Sequence, residues 1–191
     1  MVTPAIHVTP ANIRRLRPAF PPGYELADVA SARSPAGYWG FGGDFTSDPA
    51  PCADLANPVA GDAAPQGLDG SGAGGTVYAV VAESAPPPLL DRSVLDDCPR
   101  WSMVAGQTSA TVELTQVPQI DGVPTVAMTT AARTIVEGGI ATDLTVKTVT
   151  AYLGDYLAFV AVVTDPGAPQ PPLPPDFAAT LLVKAVAALR G

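Results

Sequence analysis

IATDLTVKTVTAYLGDYLAFVAVVT, residues 140–164, decides the fold. Ile140, Thr142, Leu144, Val146 and Thr148 alternate with Asp143, Thr145 and Lys147, the period-two pattern of a strand with two unlike faces. Gly154-Asp155 is a turn signal, and residues 156–164 then run apolar without a break, as a strand covered on both sides does. Two adjoining strands of this kind are the centre of an antiparallel sheet.

Working upstream, Gly138-Gly139 closes a hairpin. Residues 125–136 form its other arm, long enough to suggest a bulge. Gln119-Ile120-Asp121-Gly122 is a turn. Residues 110–117 alternate, with Val112 and Leu114 pointing inward, and the β pattern begins at Trp101. Residues 76–83 (TVYAVVAE) form another strand apolar on both faces, broken by Pro86-Pro87-Pro88. Residues 89–97 then read as a short helix with Leu90 and Val94 on one side. Residues 34–56 offer only single helical turns, at Ser34-Pro35 and near Cys52. Residues 57–75, rich in Gly, Pro, Ala and Asp, read as a flexible surface loop.

At the N-terminal end, residues 1–8 form a flexible tail. Thr9 is an N-cap and Pro10 the first position of a helix ended by Pro18. Residues 24–30 alternate as an edge strand. At the other end, a proline-rich crossover (residues 166–175) leads into a helix of residues 176–190 with Phe177, Leu181, Leu182, Ala185 and Leu189 on one stripe. That stripe needs a surface to cover, and the sheet provides it. The expected fold is α+β: a twisted antiparallel sheet covered by the C-terminal helix and short helices. It is a two-layer sandwich with one disulfide, and residues 9–191 make a single domain.

Composition narrows the function. With 10 basic against 18 acidic residues the net charge is −8, which disfavours nucleic acid unless basic residues cluster. Arg14, Arg15 and Arg17 do cluster, as a solvated helix face or as a contact to an anionic membrane. No apolar run reaches the roughly 20 residues needed to span a bilayer, and residues 1–17 lack the apolar core of a signal peptide.

Cys52 and Cys98 are 46 positions apart, outside any C-x-x-C pair. They are either buried free thiols or, the favoured reading, a disulfide between two Pro-bounded, acid-flanked segments. Neighbouring carboxylates raise a thiol pKa and disfavour a reactive thiolate. A bridge of this span would restrict the unfolded chain by roughly 4 kcal/mol in the entropy model.

Motifs for catalysis fail on context. Residues 70–75 satisfy G-x-G-x-x-G but follow a loop and precede a strand, whereas a dinucleotide site needs the reverse. There is no nucleophile elbow, and His7 is the only histidine, so a Ser-His-Asp machine is not expected. The acids Asp96, Asp97, Asp143 and Asp155 read as surface residues rather than a glycosidase pair. Asp44, Asp48 and Asp54 lack EF-hand spacing. No cofactor and no metal site is implied, and the chain is expected not to be an enzyme. The candidate ligand-binding residues are Tyr38, Trp39, Phe41 and Phe45, four rings within eight residues among Gly40, Gly42 and Gly43. They form either a lid over the core or an aromatic-lined binding surface.

Several local motifs also carry a family likeness. Pro21-Pro22-Gly23-Tyr24-Glu25, Trp39-Gly40 ahead of Cys52, Thr76-Val77-Tyr78-Ala79-Val80 and Cys98-Pro99-Arg100-Trp101 are four of them. Ile120-Asp121-Gly122 and Tyr152-Leu153-Gly154-Asp155-Tyr156 complete the set. With these the chain resembles, over nearly its whole length, an uncharacterised domain of actinobacterial, chiefly mycobacterial, secreted lipoproteins. More weakly, and in element order only, it is similar to the extracellular sensor domain of the mycobacterial receptor kinase PknH, which carries two bridges where this chain can form one.

The resemblance implies an extracytoplasmic, cell-envelope ectodomain without catalysis. It would bind a small or lipid-like ligand or an envelope partner protein, and would meet the membrane only through an N-terminal lipid anchor outside these residues. A structural or adhesive surface protein is the alternative, and an envelope hydrolase the third reading.

Overall fold

The computed structural model describes residues 5–28, 31–167 and 171–191. Nine strands make one antiparallel sheet among the described residues. They are β1 (Glu25–Ala27), β2 (Thr46–Asp48), β3 (Gln66–Gly72), β4 (Gly75–Glu83), β5 (Arg100–Ala105), β6 (Thr108–Thr115), β7 (Thr125–Ile135), β8 (Ala141–Leu153) and β9 (Tyr156–Thr164), in the spatial order β1-β3-β4-β9-β8-β7-β6-β5-β2. The 13-residue β8 lies at the centre with β9 beside it. Three α-helices accompany the sheet among the described residues: α1 (Ala53–Ala56), α2 (Arg92–Asp97) and α3 (Phe177–Leu189).

α3 lies on one face of the sheet. Its buried residues Ala178, Leu181, Leu182, Ala185, Val186 and Leu189 recur at helical spacing and share a core with Val77, Val149, Val160 and Leu153. The N-terminal helix, Pro10–Ala19, is a 3₁₀ helix that runs through Pro18 rather than stopping before it. Ile13 and Leu16, three apart, face inward together at three residues per turn. It also closes the end of α3: Thr9 N–H donates to the Leu189 carbonyl (2.8 Å) and the Asn12 amide to that of Ala188 (3.0 Å). Those carbonyls have no partner within the helix. Asp28 pairs with both Arg14 and Arg17, so two of the three clustered arginines are held by a carboxylate.

The opposite face is also covered, by residues 31–62 and α2. Cys52 and Cys98, bonded and fully buried, fasten this cover. Trp101 shares their core.

Four local expectations need correction. Residues 57–75 are not all loop, because Gln66–Gly72 pairs with both β1 and β4. Its glycines are there for packing. A Cβ on Gly70 would strike Phe20 and Leu26, and one on Gly72 would strike Tyr24. The G-x-G-x-x-G string, rejected above as a dinucleotide site, is thus part of a hairpin against which the N-terminal segment lies.

The long strand carries no bulge, since its register with both neighbours is unbroken. α2 starts at Arg92, not Leu89, because the Asp91 carboxylate caps it by accepting from Ser93 N–H at 2.8 Å. The edge strand is Glu25–Ala27 only. Val29 and Ala30, the first four residues of the tail and residues 168–170 of the crossover lie outside the described residues.

Candidate functional site

The aromatic–glycine segment follows a single 3₁₀ turn, Pro35–Tyr38. Trp39 is fully buried, and its indole N–H donates to the Thr148 hydroxyl at 2.9 Å. Tyr38 donates to the Ala32 carbonyl (3.1 Å), and its ring lies 4.5 Å from that of Tyr78. Gly40, at φ 94°, turns the chain back. Phe41 then re-enters the core, with its N–H on the Ala36 carbonyl at 3.2 Å. Phe45 is half-buried, edge-on to Phe41 at 5.7 Å. Three of the four rings thus form a lid over the sheet, as large apolar side chains do where a core is within reach. They present no aromatic surface, which corrects the binding-surface expectation for Tyr38, Trp39 and Phe41.

The outer side of the same segment is hollow. About 430 Å³ lies between Arg33, Ser34, Asn57 and the residues Phe41, Gly42, Gly43 and Phe45. Arg33 Nη1 is sealed from solvent without a hydrogen-bond partner.

A larger feature lies on the α3 face. One cross-strand row reads Val77, Val162, Lys147, Thr129, Glu113, Arg100 over β4, β9, β8, β7, β6 and β5. The two valines are buried and the last two residues exposed. α3 therefore covers only half of this face, and the change falls at Lys147, which is half-buried and forms no ion pair among the described residues.

A groove follows that boundary. One hollow of about 450 Å³ lies beside Thr115, Ala127, Thr129 and the start of α3. The next, about 220 Å³, is an apolar channel beneath Pro172-Leu173-Pro174 and over Val162. A third, about 180 Å³, reaches Gly74 at the tip of the β3–β4 hairpin. The first two share Lys147 and Ala178; the last two share Thr164, Pro166 and Pro172. Beyond it, over β5–β8, a hollow of about 540 Å³ is walled by Ser102, Ser109, Thr111 and Thr145. There Arg133 and Asp143 form a two-pronged pair at 2.7 and 2.9 Å, and that bond holds the Asp143 carboxyl below its ordinary range.

Residue patterning missed this groove because its walls are ordinary strand residues. One signal was legible: β8 changes along one face from Asp143, Thr145 and Lys147 to Val149, and a proline-rich crossover returns over that point.

Chemically reactive groups are sparse. Burial, with the charge of Asp54 adding, pushes the Tyr152 hydroxyl far above its usual value, and burial does the same to Tyr78 to a lesser degree, helped by Asp69. Both phenols stay protonated near neutrality. His7 is exposed, and its ring lies 3.4 Å from the Thr9 hydroxyl. Asp44, Asp48 and Asp54 do not gather; no cluster of three metal-ligating side chains forms among the described residues. Among the described residues no helix is long and apolar enough to cross a membrane.

Comparison with known proteins adds kinship. Residues 9–190 match the model of a family described as a domain of unknown function, DUF5642. An X-ray structure of an uncharacterized protein from Mycobacterium smegmatis, described as an Rv0999 ortholog, is similar at a TM-score of 0.69 and 22% identity, over 97% of this chain and 98% of that one. At that identity the likeness shows the shared fold alone. No curated protein matches.

Proposed function

The chain belongs to the DUF5642 family, and we propose that it is a non-catalytic cell-envelope domain, borne on a lipoprotein, that binds a small amphipathic ligand in the groove beside α3. The observation that carries the reading is the juxtaposition at Lys147: an apolar channel under Pro172-Leu173-Pro174 opens beside this half-buried lysine, which forms no ion pair among the described residues. Ligand sites are mostly apolar with a few placed polar groups, and this groove has that composition. An acyl or other apolar tail fits the channel, and a polar head fits Lys147 and Thr129.

The buried disulfide suits an oxidising compartment, and the M. smegmatis neighbour suits a mycobacterial envelope origin. A binding role is supported by what lines the groove: its carboxylates, Asp165 and Asp176, belong to separate hollows, and no histidine or cysteine joins them. A second reading, docking to an envelope partner protein, is favoured by Ile135, Val136 and Ile140, exposed together around the turn of the β7–β8 hairpin.

Native mass spectrometry of protein purified from its own membranes tests the first reading. Wild type should carry a lipid-like mass. Lys147→Glu, and Thr145→Trp in the channel wall, should each raise Kd by about tenfold, a loss of about 1.4 kcal/mol, and lower the occupied fraction accordingly. Bare protein from source membranes, unchanged on titration with single-chain lipids, would remove the groove reading and leave partner docking.

A further inference from the structure

We propose that the hollow on the outer side of the aromatic–glycine segment is a second site, for a phosphate-type oxyanion, with Arg33 as its anchor. It lies over the disulfide-fastened cover, on the opposite side of the sheet from the groove.

A guanidinium keeps its proton at any ordinary pH and has five donors to satisfy. Among the described residues Arg33 Nη1 has neither solvent nor an acceptor, and the three ion pairs formed there do not include Arg33. Leaving a buried charged donor unpaired is costly, and the chain had acids to spend, with 18 against 10 basic residues. Yet no carboxylate lines the hollow. Asp44, in the same loop, is exposed and outside the lining. Arg33 is half-buried and lines this space, which is kept clear of the protein's own anions, so its guanidinium is complementary to an anion from outside.

The neighbouring groups narrow the class. The buried Ser34 hydroxyl accepts from Val59 N–H at 3.2 Å and donates to no group among the described residues, so its proton is free for an oxyanion. Asn57 adds an amide to the wall. Gly42 and Gly43 have no side chains, and the space above each is open to 4 Å, so a ligand can approach their backbone. Arginine, hydroxyl and bare backbone together are a phosphate-binding chemistry. At about 430 Å³ the hollow exceeds a bare phosphate, and Phe45 at its rim gives an organic body an apolar surface.

Thermal unfolding and amide NMR of wild type, Arg33→Met and Arg33→Lys test this, with inorganic phosphate, glycerol phosphate, or sodium chloride at matched ionic strength. Phosphate should raise the wild-type melting temperature in proportion to the logarithm of its concentration and shift the Gly42 and Gly43 amides; chloride should not. Arg33→Lys should keep a weakened response and Arg33→Met none. Without phosphate, Arg33→Met should melt at or above wild type, because a sealed donor without an acceptor has been removed; this also shows that the variant folds. Tighter binding of glycerol phosphate by about tenfold or more would identify a phosphorylated headgroup as the source, and equal binding would identify free phosphate. Equal responses in wild type and Arg33→Met, or no wild-type response beyond that to chloride, would overturn the site.

Discussion

The two faces of the sheet are closed in opposite ways. On one, α3 satisfies its own backbone, presents a regular stripe and packs into a core that is almost wholly aliphatic. On the other, residues 31–62 have little regular structure, so each backbone group needs an individual partner. Ser34 Oγ takes Val59 N–H, Ser84 Oγ takes Ala60 N–H at 2.9 Å, and Ser84 N–H reaches the Asp155 carbonyl at 2.8 Å. The Trp39–Thr148 bond and the Cys52–Cys98 bridge add two long-range ties. Its core also holds Trp101 Nε1, Thr130 Oγ1 and Thr150 Oγ1 without partners. A helix can cover a sheet by repetition, whereas an irregular cover is held by a few specific ties. Damage should therefore be spread along the helix and concentrated on the other face.

Trp39 is where that contrast breaks most sharply. Trp39→Ala removes the largest fully buried side chain of the domain and should cost about 3–5 kcal/mol in urea unfolding. Trp39→Phe keeps most of the volume but strands the Thr148 hydroxyl, for about 1–3 kcal/mol. Loss of less than about 1 kcal/mol from the alanine variant would mean that the lid is not part of the cooperative core.

On the helical face Leu182→Ala should cost about 2–5 kcal/mol, because Leu182 is fully buried beneath α3. Leu181, nearly as buried and one position away, should give a similar value, as repetition requires. Two leucines differing by more than about 2 kcal/mol, beyond the ordinary scatter between such sites, would show that α3 too is held at a single point.

This difference also explains what was legible in the residues. The hairpin signals at Gly138-Gly139 and Gly154-Asp155, the alternation of β8 and the stripe of α3 are periodic, and the sheet and its helix follow from them. The Cys52–Cys98 bridge was legible because one pairing exists. β3 was not, because its inward positions include Gly70, where Phe20 and Leu26 supply the apolar bulk from another segment. The four rings were legible as a cluster but not in direction. Whether Trp39 faces in depends on Thr148, 109 positions away. The groove was the least legible, since it lies where α3 stops covering the sheet, and no residue type marks the width of a helix.

The smallest effect concerns the glycines among the rings, and it separates conformational need from open space. Gly40 sits at φ 94°, where a side chain is strained, so Gly40→Ala should destabilise by about 1 kcal/mol or more. Gly42 has no such backbone, and a Cβ there would meet nothing within 4 Å. Gly42→Ala should be neutral or stabilise by about 0.4–1 kcal/mol, through a less mobile unfolded chain. If Gly40 proves as tolerant as Gly42, the turn that returns Phe41 to the core is not what positions the lid. If Gly42 instead proves costly, the fold itself needs that glycine. If Gly42→Ala is harmless to folding yet weakens the phosphate response of the Arg33 hollow, the glycine serves the ligand's approach, not the chain's own packing.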